Sequence, residues 1–227
     1  MTMGLRGSGM LITFMDIAPA DEAEFNKWYD GEHVEERVRI PGFLAARRYC
    51  APALSPKYLA LYETKDLDVL GGADYQKALA NQTAWSKSVM GRFVRPGRLI
   101  AGRIASVGKG RGGWLLFARL MPAEGQGPAL LKWLRERWLP EVDADVQVVC
   151  AHLMKTDPVL SLPLDADGKP DRSKPAAPAS YVLLVEGVGP DALGRALDTA
   201  DAKLHGAAEV ECGAYQLMWE LTAGDLR

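Results

Sequence analysis

His33 is the one histidine in the first half of the chain, and imidazole is the side chain whose charge changes near neutral pH. It can therefore carry a proton during an enolisation, a cyclisation or an isomerisation. On a helix it stands four residues from Tyr29 and four from Arg37, bordering a stripe of Phe25, Tyr29, Glu32 and Glu36. Glu32 and Glu36 are expected to orient the ring. Trp28 and Tyr29 add two large aromatic surfaces, suited to the wall of a pocket for a flat ligand or to an ordinary core. Arg47, Arg48 and Tyr49 follow on the next element. Either arginine can hold a carboxylate or phenolate, and Tyr49 can donate a hydrogen bond to a developing enolate oxygen. Pairing of the arginines with Glu32, Glu35 or Glu36 is the structural alternative. The candidate site is thus His33 and Tyr49 as catalytic groups, with Trp28, Tyr29, Arg47 and Arg48 binding substrate.

These residues need a helix and a strand in fixed relation. Met10–Ile17 is a short apolar run that predicts a strand. Asp21 and Glu24 form a capping-box pattern that opens a helix over 22–39, which Pro41-Gly42 stops. Strands are predicted over 43–50 and 58–63, helical sequence over 67–90 with breaks at Gly71-Gly72 and near Asn81, and a strand over 98–107. The order β-α-β-β-α-β is the ferredoxin-like split βαβ unit. Strand alternation puts Phe43, Ala45, Arg47 and Tyr49 on one side and Leu44, Ala46, Arg48 and Cys50 on the other.

The order then repeats. Strands are predicted over 114–120, 146–154, 181–186 and 211–221, with helices over 129–139, opened by Pro128, and over 190–204. Phe14 matches Phe117 at a shift of 103 residues, while Lys27-Trp28 matches Lys132-Trp133 and Ala46-Arg47 matches Ala151-His152 at 105. Tyr58 with Tyr181 and Glu63 with Glu186 match at 123, so the extra residues fall in the proline-rich stretch 156–180, expected to be a mobile surface loop, or else a lid. The expected division is a first repeat over 1–107, a glycine-rich linker over 108–113 and a divergent second repeat over 114–227. The glycines of the linker lack the spacing and context of a phosphate loop. The 105-residue shift puts Trp138 in the place of His33 and His152 in the place of Arg47, so catalysis is expected once per chain, with His152 a minor candidate for the same cleft. His205, before Gly206, suits a helix C-terminus.

Composition narrows the function classes. The chain has 227 residues, 48% hydrophobic and 25% charged, with a net charge of −2, which gives no electrostatic footprint for nucleic acid or an anionic membrane. Three dispersed cysteines argue against a disulfide framework, and no CxxC pair exists for zinc. There is no HExxH, no Gly-x-Ser-x-Gly elbow and no facial-triad spacing among the three histidines, so neither a metal nor another cofactor is expected, although one histidine would suffice to ligate a haem. The absence of a leader-like or membrane-spanning apolar run leads to the expectation of a cytoplasmic protein, monomeric or homodimeric.

The segment from Asn26 to His33 (NKWYDGEH), followed by Ile40 to Tyr49 (IPGFLAARRY), resembles the EthD-like family of the dimeric α/β-barrel superfamily. Trp28, His33, Pro41, Gly42, Phe43, Arg48 and Tyr49 occupy the family's positions, and Asn81–Trp85 is similar to its second-helix region. The resemblance covers about residues 10–107. It implies an α+β fold of two tandem ferredoxin-like repeats packed sheet to sheet as a pseudo-dimeric α/β barrel. It also implies a cofactor-independent isomerase, cyclase or monooxygenase acting on a small aromatic or polyketide-like compound. A non-catalytic binding or accessory protein with the same pocket, and a structural partner with a packed cleft, are the alternatives. Fold alone does not choose among them.

Overall fold

The structure is a computed structural model in which residues 4–165 and 168–226 are described. Its elements run β1 (Gly9–Ile17), α1 (Glu22–Trp28), a π-helical turn (Tyr29–His33), α2 (Val34–Val38), β2 (Phe43–Cys50), β3 (Tyr58–Thr64), α3 (Asp68–Gly71), α4 (Ala73–Ala80), α5 (Ala84–Met90) and β4 (Phe93–Gly108). There follow β5 (Trp114–Pro122), α6 (Gly127–Trp133), a second π-helical turn (Leu134–Trp138), α7 (Leu139–Asp143), β6 (Val148–Thr156), β7 (Tyr181–Gly187), α8 (Pro190–Arg195), α9 (Thr199–Leu204) and β8 (Ala207–Thr222). The class is mixed α+β. The strands are hydrogen-bonded neighbours in the order β1-β3-β2-β8-β5-β7-β6-β4.

The described residues divide into two compact units, and neither is a continuous stretch of chain. The first holds Arg6–Ile100, Pro158–Ala176 and 218–226; the second holds Gly4, Leu5, Ala101–Asp157 and Ala177–Leu217. Two strands are longer than their apolar runs suggested: β4 starts at Phe93, before the expected Arg98, and β8 starts at Ala207, before the expected Glu211. The proline-rich stretch contributes 158–176 to the first unit.

In the first unit β3 pairs antiparallel with β1 and β2, and Arg47 lies opposite Leu61. One sheet face packs on Phe25, Trp28, Tyr29, Val34 and Val38 from the helices, using Ala46, Tyr58, Ala60 and Tyr62. Strand alternation fails at one point. A register shift between Phe43 and Ala45 moves Phe43 to the helix-covered face with Ala46, whereas the alternation had put it with Ala45 and Arg47. Asp21 also departs from expectation: its side chain makes no cap hydrogen bond and instead pairs with Arg92 at 2.9 Å. Glu24 accepts from the Trp85 indole at 2.8 Å.

In the second unit β7 pairs antiparallel with β5 and β6, and β5 also pairs with β8. Its core gathers Leu130, Trp133, Leu134, Trp138 and Val142 against Leu116, Ala118, Leu153 and Leu183. The offsets between the two halves are regular. β1 to β5, α1 to α6, the π turns and α2 to α7 are each displaced by 105 residues with equal lengths, and β3 to β7 by 123. The strands β1 and β5 thus align at 105, so Phe14 matches Arg119 and not Phe117.

Gly108 ends β4 with a φ of +76°, and a Cβ there would stand 2.3 Å from the Val149 carbonyl oxygen. Both the dihedral and the contact require glycine. Gly108→Ala is expected to cost about 2 kcal/mol or more of unfolding free energy, read from urea denaturation.

Candidate active site

The helix face of β2 and β3 builds a buried aromatic cluster around His33. The π turn Tyr29–His33 inserts one extra residue per turn and so re-aims the side chains that follow Trp28. The other unit has a π turn at the corresponding place, so the bulge belongs to this type of unit and not to the histidine. Two bonds tie the turn, and a third ties Trp28 before it, to α5 and its cap. Thr83 caps that helix by accepting from the Ser86 amide at 2.9 Å, and the Thr83 and Ser86 hydroxyls donate to Glu32 Oε1 at 2.6 and 3.1 Å. The Trp28 indole donates to Ser86 Oγ at 3.0 Å. Glu32 is thus a structural anchor and does not orient the histidine. Glu36 is the nearer carboxylate, its Oε2 4.0 Å from His33 Nδ1.

The imidazole of His33 lies against the Trp28 indole, with ring centroids 4.3 Å apart, and meets Tyr29 and Tyr62 edge-on at 5.1 and 6.4 Å. Its Nδ1 is buried with no hydrogen-bond partner among the described residues. Burial pushes its pKa well below the usual 6.5, and the positive charges of Arg37 and Arg48 push it the same way. The ring is therefore neutral at physiological pH. The Tyr62 hydroxyl donates to the Tyr29 oxygen at 2.9 Å, and burial raises the Tyr62 pKa well above 10.0, so this phenol keeps its proton. Arg48 closes the cluster. Its guanidinium lies 4.2 Å from the Tyr29 ring centroid, forms an ion pair with Asp30 and donates to Asn26 Oδ1 at 2.8 Å.

Four of the six residues singled out in the sequence, His33, Trp28, Tyr29 and Arg48, are brought together here. Arg47 and Tyr49 are not: alternation along β2 sends them to the opposite face. There the Arg47 guanidinium donates to the Tyr49 hydroxyl oxygen and pairs with Glu63 Oε1, each at 3.0 Å, and the Arg6 amide donates to Glu63 Oε2 at 2.7 Å. The expected pairing of either arginine with Glu32, Glu35 or Glu36 does not occur in the bonds seen: Glu35 holds Arg39. Tyr62, not among the six, meets His33 edge-on from β3 and bonds the Tyr29 hydroxyl. Period-two spacing of Tyr58, Ala60 and Tyr62 along β3 was its signal.

A second feature of the first unit went unread. A cavity of about 470 Å³ is lined by residues including Tyr75, Leu79, Arg98, Leu160 and Lys169, so the stretch 158–176 forms part of its wall. Arg98 donates to the Leu160 carbonyl at 2.5 Å and lies 6.0 Å from the Tyr75 ring centroid. His205 does sit at a helix end, capping α9, with its ring stacked 5.0 Å from Trp133. Among the described residues no helix is long and apolar enough to cross a membrane.

No protein-family model and no curated protein sequence matches the chain. Solved structures match its fold along nearly the whole length. An anthrone oxidase-like protein superposes with a TM-score of 0.66 at 12% identity, over 96% of this chain and 94% of that one. A candidate monooxygenase from Lactobacillus acidophilus gives 0.55 at 9% identity, over 95% and 97%. Another from Fusobacterium nucleatum gives 0.55 at 8% identity, over 96% of each chain. These likenesses concern the fold alone.

A histidine kept neutral has a definite linkage signature. The unfolded chain takes up a proton near pH 6.5 and the folded one does not until lower pH. Its contribution is therefore complete above pH 6.5 and is lost as pH falls towards the folded value, by up to roughly 1.4 kcal/mol per pH unit. Stability measured from about pH 7.5 to about pH 5.5 should fall more steeply for the wild type than for His33→Gln.

Proposed function

We propose that the protein is a small-molecule enzyme of the monooxygenase type, acting on a flat aromatic or polyketide-like compound without an organic cofactor. The observation that carries this reading is the half-buried His33, kept neutral, whose buried Nδ1 has no hydrogen-bond partner among the described residues, between an indole face and a pair of phenols. Such a ring accepts a proton poorly on its own. A substrate anion formed beside it supplies the counter-charge that burial removed, so proton transfer becomes favourable only when the two charges form together. Arg48, behind Tyr29, adds positive potential to the same region. The substrate carbanion would then pass electrons to dioxygen; one oxygen atom would enter the product and the other would leave as water. The anthrone oxidase-like and monooxygenase structures that share the fold support the reaction class. An EthD-like origin, and duplication of one ancestral unit, are proposed on the sequence resemblance and on the 105- and 123-residue offsets.

The 470 Å³ cavity favours a second reading, binding of a small ligand without turnover. Its volume lies within the range typical of ligand sites, and its charged lining mixes Arg98, Lys169 and Arg172 with Asp165 and Asp171. The two readings separate on one comparison. Oxygen uptake and product formation should be followed with anthrone-like and naphthol-like compounds for wild type, His33→Gln and Arg98→Met. The enzyme reading expects turnover that falls about 100-fold or more in His33→Gln with folding retained. Binding that depends on Arg98, with no turnover by any protein, would establish the second reading.

A further inference from the structure

Glu63 and Glu186 occupy matching positions in β3 and β7, and both are buried. Their surroundings match in part. The Arg6 amide donates to Glu63 at 2.7 Å, and the Gly112 amide donates to Glu186 at 2.9 Å. Arg6 Nη1 lies 3.8 Å from Glu63, and Arg111 Nη1 lies 3.4 Å from Glu186. The difference is on the neighbouring strand. Beside Glu63, β2 presents Ala45 directly opposite and Arg47 two residues on, and Arg47 holds the carboxylate at 3.0 Å. Beside Glu186, β6 presents Cys150 directly opposite and His152 two residues on. Where β2 has an alanine and an arginine beside the carboxylate, β6 has a cysteine and a histidine, two metal-ligating groups.

We propose that Cys150, His152 and Glu186 form a buried binding site for a divalent transition metal, zinc by the chemistry of the donors. One donor atom of each lies within 4.8 Å of the others. Tetrahedral zinc holds thiolate, imidazole and carboxylate donors about 3.3–3.8 Å from one another, so rotations of about 1 Å at the side-chain tips complete the geometry. Cys150 and His152 are i and i+2 on one strand and share a face, and Glu186 reaches them from the paired strand. His152 Nδ1 is engaged with Ser106 Oγ at 2.8 Å, which orients the ring. Its Nε2 is the nitrogen on the cysteine side. A Cβ built on Gly4 would lie 3.0 Å from Nε2 and 3.2 Å from Cys150 Sγ, so the two donors flank one point. The Gly110 carbonyl, 3.6 Å from Cys150 Sγ, is a further oxygen at the site. A mixed sulfur, nitrogen and oxygen set suits zinc, and cobalt(II) as its spectroscopic substitute. Binding displaces the thiol proton to solvent and changes no oxidation state. The site is structural and does not rest on the role given to His33.

The full-length protein should be expressed in minimal medium with added cobalt(II), and separately with zinc, then assayed for metal content, absorption and melting temperature. The proposal expects one metal per chain, a thiolate-to-cobalt charge-transfer band, and a melting temperature that falls when a chelator removes the metal. Cys150→Ser should abolish the band and His152→Gln should weaken binding about tenfold or more, whereas Cys212→Ser, at an exposed position, should leave both unchanged. Folded wild-type protein, verified by circular dichroism, that carries no stoichiometric metal and shows no band would overturn the proposal even if the variants fail to fold. So would a band that survives in Cys150→Ser.

Discussion

Two consecutive arginines, Arg47 and Arg48, are both buried on one strand, and much of the first unit is arranged to make that tolerable. A buried guanidinium is stable only when carboxylates and hydrogen-bond acceptors surround it. Alternation along β2 sends the two to opposite faces, so each face must supply its own set. On one, Glu63 and Tyr49 answer Arg47. On the other, Asp30, Asn26 and the Tyr29 ring answer Arg48. That second set fixes the aromatic residues about His33, and the same positive charge, after burial and beside Arg37, helps to keep the imidazole neutral. The candidate base and its electrostatic setting therefore come from one requirement.

The second unit has elements at matching offsets and different side chains on them. Trp138 stands where His33 would be, and its indole donates to the Ala196 carbonyl at 2.8 Å, as Trp28 donates to Ser86 in the first unit. One unit has an imidazole with an unpartnered buried nitrogen at this place, and the other a hydrogen-bonded core indole. At the position 105 residues after Arg47 stands His152, close to Cys150 and Glu186. Each unit thus keeps polar groups on a buried strand where the other has a different solution.

The element order was legible because each strand and helix carries its own apolar period, and β2 was read with both ends correct. The three-helix pattern α3, α4 and α5 follows the breaks at Gly71-Gly72 and Asn81. Longer strands were missed because β4 begins with Pro96 and Gly97 within it and β8 is polar over much of its length, so neither shows a continuous apolar run. The neighbours of His33 on its own helix were legible from helical spacing. Its relation to Tyr49 was not, since residue types alone did not decide which face of β2 serves the site. The bulge at Phe43/Ala45 has no residue signature in this sequence and reversed one position. The cavity beside Arg98 depends on 158–176 joining the first unit from more than fifty residues away in sequence, a contact that no local pattern encodes.

The central claim is that His33 is neutral in the free protein and gains a proton only against a substrate anion. Nitrogen-15 resonances of the His33 ring, assigned with His33→Gln and followed through pH with and without an acidic phenol or anthrone-like ligand under anaerobic conditions, test it most directly. The account predicts a neutral ring well below pH 6.5 in the free protein and a shift towards imidazolium when the ligand binds. A ring that titrates near 6.5 and is indifferent to every ligand would contradict it.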